Sequence, residues 1–176
     1  MSFSVLGNDI SLAKVRKTSR YRKYHEGMWI TSRYVMYRYW YKFLQYAEQD
    51  DARTVDWSKY DGWGGANLVL SERFETWWKM NWKELFAVEN EGDTARYELT
   101  RRQSRASAVR LALLVYEHRH LKSGVDVQIA LLKRYKNLES LDADKVLETK
   151  RISQFVRRYR KLAEQLLDDV CDGKFG

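Results

Sequence analysis

The stretch RISQFVRRYRKLAEQLLDDVC, Arg151–Cys171, decides how this chain is read. Ile152, Phe155, Val156, Tyr159, Leu162, Ala163, Leu166 and Val170 recur at spacings of three and four. That period places them on one stripe of an α-helix. On the opposite side Arg151, Gln154, Arg158, Lys161 and Gln165 follow one another at intervals of three, four, three and four, with Lys150, Arg157 and Arg160 at the margins. A helix built this way docks on its own core by the stripe and presents the other face to a partner. Guanidinium, ammonium and amide groups in such a row suit a phosphate backbone or the edges of bases in a major groove. The acidic end, Asp168, Asp169 and Asp172, then points away from the phosphates.

Working upstream, Asp126 caps a short helix to Tyr135 carrying Ile129, Leu131 and Leu132, and Asp142 starts a brief one to Glu148. With the final helix these have the lengths of a helix-turn-helix bundle. A helix over 100–121 buries Val109, Leu113 and Tyr116, with Ala112 and Leu114 nearby, and ends at Ser123-Gly124. The acidic connection 88–95 marks a boundary between sub-modules 1–90 and 95–176 within a single domain of 176 residues.

Before that boundary, Ser71 caps an aromatic helix through Phe86 that carries Phe74, Trp77, Trp78 and Trp82. Two adjacent tryptophans do not point the same way on a helix, so Trp77, Trp78 or the loop residue Trp63 is a candidate protein-interface residue. Gly62-Trp63-Gly64-Gly65 is too rich in glycine for a helix, and Asn67–Leu70 suits a short strand. The pattern over 28–48 predicts one long helix. Trp29, Val35 or Met36, Tyr39 or Trp40, Phe43, Leu44 and Ala47 share its buried face, with Arg33, Tyr37, Arg38, Tyr41 and Lys42 on the others. Asp9 caps a short first helix from Ile10 to Lys17.

The chain contains no proline, against roughly nine expected from average usage of about 5%. Long helices are favoured over a turn-rich sheet. The expected fold class is therefore all-α: an irregular multi-helix bundle with a helix-turn-helix-like C-terminal part and a long final amphipathic helix. The single cysteine, Cys171, excludes an intramolecular disulfide framework and fits a reducing, cytoplasmic setting. No apolar run approaches the roughly 18 residues of a membrane span, and the N-terminus has no signal-peptide pattern.

The net charge of +8 is segregated. Residues 1–47 carry nine Lys and Arg against Asp9 and Glu26, residues 48–94 carry five against eleven acids, and residues 95–176 carry eighteen against eleven. Two basic blocks flank an acidic one, which points to surfaces with different partners. The first block holds Lys14, Arg16, Lys17, Arg20, Tyr21, Arg22, Lys23 and Tyr24. Its cations neutralise phosphates, and its tyrosines suit base stacking or anchoring of an N-terminal arm.

Chemistry-bearing patterns are sparse. His118 and His120 diverge by about 200° on a helix and share no metal, while His25 and Cys171 have no ligand partner at a recognised spacing. Glu148-Thr149-Lys150, with Asp126 or Asp142 upstream, matches part of a nuclease metal site, but such sites sit on a sheet that the sequence does not predict. The Gly62–Gly65 loop lacks the Lys-Ser/Thr of a phosphate loop. No enzyme, cofactor or metal is expected.

The expectation is a binder of nucleic acid, double-stranded DNA first, acting as a regulator or accessory factor of a DNA-handling complex. Arg151, Gln154, Arg158 and Lys161 face the nucleic acid, Lys150 and Arg157 flank them, and Arg20, Arg22 and Lys23 clamp the backbone. The rival is a small inhibitor or adaptor that docks on an acidic protein, with the acidic, tryptophan-rich middle as a further contact. The long apolar stripe of the final helix also suits a homodimer.

Overall fold

The computed structural model describes residues 4–5, 8–9, 22–31, 34–99, 106–134 and 149–175. The protein is mostly helical with a small three-stranded sheet, and the chain forms two compact units. The first comprises Met1–Gln103 and Val170–Gly176, the second Ser104–Asp169. Both the last residues of the chain and the acidic connection 88–95 thus belong to the first unit.

Strands β1 (Ser4–Val5) and β2 (Asn8–Asp9) pair with each other. Strands β3 (Arg22–His25) and β4 (Met28–Thr31) form a hairpin where the sequence suggested a basic arm and the start of a helix. Glu26 and Gly27, with φ of 48° and 86°, make the two-residue loop. Positive φ at both central positions matches the right-handed twist of paired strands and favours a tight hairpin. Across it the Tyr24 and Trp29 rings meet edge-on at 5.5 Å. β5 (Ala87–Val88) pairs with the far edge of β4, Trp29 opposite Val88. These strands are too short to show alternation, so the sequence hid them.

Helix α1 (Tyr34–Glu48) buries Met36, Tyr37, Trp40, Tyr41, Phe43, Leu44 and Ala47. Its buried face is wider than periodicity implied, because Tyr37 and Tyr41 join it while Val35 is exposed. A 3-10 turn, Trp57–Tyr60, follows, capped by Asp56, whose carboxylate accepts from the Ser58 amide at 3.1 Å. Helix α2 (Gly65–Ser71) replaces the suggested strand at 67–70. Gly64 enters it at φ 87°, where a Cβ would lie 2.2 Å from Leu68 Cδ2. The last carbonyls of a helix lack intrahelical donors. Here Gln45 Nε2 donates to Val69 O at 2.7 Å, and the Tyr41 hydroxyl donates to Glu72 O at 3.1 Å just beyond the helix end.

Helix α3 (Phe74–Phe86) starts after Arg73; Ser71, the expected cap, instead ends α2 and donates to Leu68 O. Its aromatic side chains complete a core of rings. Trp77 and Trp63 lie 4.6 Å apart, and Trp77 Nε1 donates to Trp63 O at 2.9 Å. Trp63, Trp77 and Trp78, the candidates for a protein interface, are all buried. The adjacent pair escapes conflict because both sides of α3 are covered: Trp77 packs on Tyr41 and Trp63, Trp78 on Phe86 and Tyr37. The segment after β5 folds back: Tyr97 N donates to Leu85 O, and Arg96 pairs with Asp61 and Glu84.

The chain end closes this core. Phe175 is fully buried and stacks on Trp40 at 5.8 Å and 12°. Trp40 Nε1 donates to the Tyr60 hydroxyl at 3.0 Å, which donates to Val170 O at 2.5 Å. Gly173 (φ 74°) turns the chain where a Cβ would meet Lys59 Cβ at 2.4 Å.

Buried hydroxyls give a pH signature. Burial pushes Tyr41 up to about 12 and Tyr60 higher still, and burial also raises Tyr97. Folded values above the unfolded value of about 10 favour the neutral form in the fold. The stabilisation is fully present below pH ~10 and is lost as pH rises through the folded values. Phenolate absorbance should therefore show a late group of tyrosines, with denaturant midpoints falling only on the alkaline side. A midpoint flat across that window would contradict the assignment.

In the second unit, α4 (Ala106–Glu117), α5 (Gly124–Arg134) and most of α6 (Thr149–Cys171) surround Val115, Val127 and Val156, with Leu121 and Tyr159 against them. Ser123 caps α5: its Oγ accepts from Val125 N at 3.1 Å and its carbonyl from Val127 N at 3.2 Å. The expected short helix at 142–148 lies outside the described residues. No helix among the described residues is long and apolar enough to cross a membrane.

Candidate nucleic-acid interface

Helix α6 positions the site. Val156, Ala163, Leu166 and Leu167 are buried, and Tyr159 and Leu162 are half-buried. Apart from Phe155, the stripe is thus taken up by the protein itself, which leaves the opposite face outward. On that face Gln154, Arg157, Arg158, Lys161 and Gln165 are all exposed. Gln154 and Lys161 stand two turns apart in one line, and Arg157 and Arg158 diverge to either side of it. Lys150 and Arg151 have their backbone in the first turn of the same helix. The Arg158 guanidinium lies 5.9 Å from the Tyr159 ring centroid, beside Phe155, which packs on Tyr159 at 4.6 Å and is 40% exposed.

Arg160 does something else. Its Nη2 donates to Leu121 O at 2.6 Å, tying α6 to the turn between α4 and α5. Toward the C-terminus the character of the surface changes: Glu164, Asp168 and Asp172 are exposed. The Lys and Arg residues of α6 all lie between Lys150 and Lys161.

Of the N-terminal candidates Arg20, Arg22 and Lys23, only Lys23 has a described side chain. Lys23 is exposed on β3 opposite the buried Ile30, and Arg22 has its backbone in that strand. Arg20, Lys14, Arg16, Lys17 and Tyr21 lie outside the described residues. Tyr24 is half-buried against Trp29, an anchoring role rather than an open stacking platform. Lys23 belongs to the first unit and the α6 cations to the second.

Among the described residues no three of His, Cys, Asp and Glu come together as a metal site. The His118 and His120 rings are 6.2 Å apart, and His118 Nδ1 contacts Leu114 O at 2.8 Å. Glu148 and Asp142 lie outside the described residues.

Sequence reasoning missed the exposed cations Arg119 and Lys122 and the exposed His120 in the α4–α5 turn. Periodicity carried the helix to residue 121, whereas α4 ends at Glu117, and the only signal for these residues was basic composition. No protein-family model, curated protein or solved structure matches this chain.

Proposed function

We propose that the protein binds double-stranded DNA through α6 and serves as a regulator or accessory factor in a larger DNA-handling complex. The observation that carries this reading is the exposed row Gln154, Arg157, Arg158 and Lys161 on a helix whose apolar side, Phe155 apart, is already buried. A major groove about 12 Å wide admits one helix. Gln154 and Lys161, on the midline, reach base edges, where Gln suits adenine and Lys suits guanine. Arg157 and Arg158, diverging to either side, meet the phosphates of the groove walls. Lys150 and Arg151 extend the row toward the helix start, while Asp168 and Asp172 mark where contact ends.

The rival adaptor reading, docking on an acidic protein through the same basic faces, also drew on Trp63, Trp77 and Trp78, and those three are core residues. What it retains is the basic face, which an acidic protein or a phosphate backbone would share. Salt separates the two. Each phosphate neutralised contributes a slope of about −0.9 to log K against log salt. Fluorescence anisotropy with labelled duplex, with single strands, and with and without magnesium should give a steep linear fall for duplex. Failure to bind duplex at low salt would end the DNA reading.

A further inference from the structure

The α4–α5 turn is held against α6 at two points. One is the Arg160 hydrogen bond to the Leu121 carbonyl. The other is the approach of Gly124 to Ser153, where a Cβ at 124 would stand 3.3 Å from Ser153 Cα. Glycine lets the start of α5 press on the α6 backbone. Ser153 and Arg160 both neighbour Arg157 on the helix surface, at offsets of four and three. The turn therefore lies alongside the flank of α6 that carries Arg157.

This turn is basic and open. Arg119, His120 and Lys122 are exposed. The Arg119 guanidinium lies 4.3 Å from the Tyr116 ring centroid, and its Nη1 donates to Tyr116 O at 3.3 Å. That packing holds the group at the surface rather than letting it wander. Among the described residues the acidic neighbours are Glu117, half-buried at the end of α4, Asp126 in the first turn of α5, and Glu164 one turn beyond Arg160. Against these three stand Arg119, Lys122, Arg157 and Arg160, so the surface is cationic on balance where it borders the α6 face.

We infer that the α4–α5 turn, through Lys122 and Arg119 with Arg157 beside them, forms a second contact of the second unit, directed at the phosphate backbone flanking the groove that α6 enters. The inference rests on the duplex-DNA reading above and names the surface that extends it. The chemistry is charge neutralisation with no base reading, because the turn lies at the flank of α6 rather than on its midline, and the Arg119 guanidinium is packed on Tyr116 with Nη1 bonded to its carbonyl. The turn and the helix together present cations to two stretches of one backbone, which orients the helix in the groove.

The test uses the full chain carrying Lys122→Glu, with Lys122→Gln and Lys122→Arg beside it, titrated on the same labelled duplex across salt. Lys122→Glu is expected to weaken binding about tenfold, and the salt slope of Lys122→Gln to shrink by about one contact. Lys122→Arg should keep wild-type affinity, and helical circular dichroism should not change in any variant. Affinity and slope unchanged in Lys122→Glu, while charge reversal on α6 abolishes binding, would overturn the turn contact and leave the duplex reading standing. A wild-type chain that does not bind duplex would remove both.

Discussion

Arg158→Glu combined with Lys161→Glu is expected to reduce duplex affinity on the order of 100-fold, which at about 1.4 kcal/mol per factor of ten is roughly 2.8 kcal/mol. The two side chains lie at the centre and one margin of the exposed α6 face. Reversal removes two cations and sets two anions against a dense line of phosphates. The salt slope should flatten by about 0.9, for the one phosphate contact, that of Arg158, which is removed. Structure should be spared, because neither residue packs into the valine core and both glutamates are good helix formers. All seven tryptophans precede residue 104 and so belong to the first unit. Tryptophan fluorescence should therefore match wild type while binding is weakened. An unchanged affinity would remove α6 from the interface.

The second large effect concerns stability. Phe175→Ala should destabilise the first unit by about 3–5 kcal/mol, the usual range for emptying a buried phenylalanine site. Phe175 is fully buried, stacked on Trp40 and 5.9 Å from Phe43. The truncation leaves a cavity beside rings too large to collapse into it. It also loosens the turn that holds Val170 O against the Tyr60 hydroxyl, itself bonded to Trp40. Denaturant unfolding followed by tryptophan fluorescence reads the loss directly, since Trp40 lies at the mutated site. Phe175→Leu should recover part of it. A shift below about 1 kcal/mol would mean that the chain end contributes little to this core.

Much of the second unit was legible in the sequence. The stripe and the opposite basic row of α6 are local patterns, and a helix converts spacing into a face wherever it is placed. The same reasoning faltered in the first unit. An aromatic-rich sequence has more candidate core residues than one helix face holds, so Tyr37 and Tyr41 were assigned to the wrong side. Trp77 and Trp78 seemed to need one exposed ring because periodicity considers a helix with a single neighbour. α3 is covered on more than one side.

What the sequence by itself determined is the helical character of the protein, the long final helix and the composition of its two faces. These follow from spacing over a few turns and from the absence of proline. Tertiary structure alone decided that β4 pairs with β5 and that Phe175 closes the core of the first unit. It also decided that the turn carrying Arg119 and Lys122 lies beside α6. Each of these depends on residues far apart in the chain meeting in space, and the free energy of such a meeting resides in the pair, not in either local sequence.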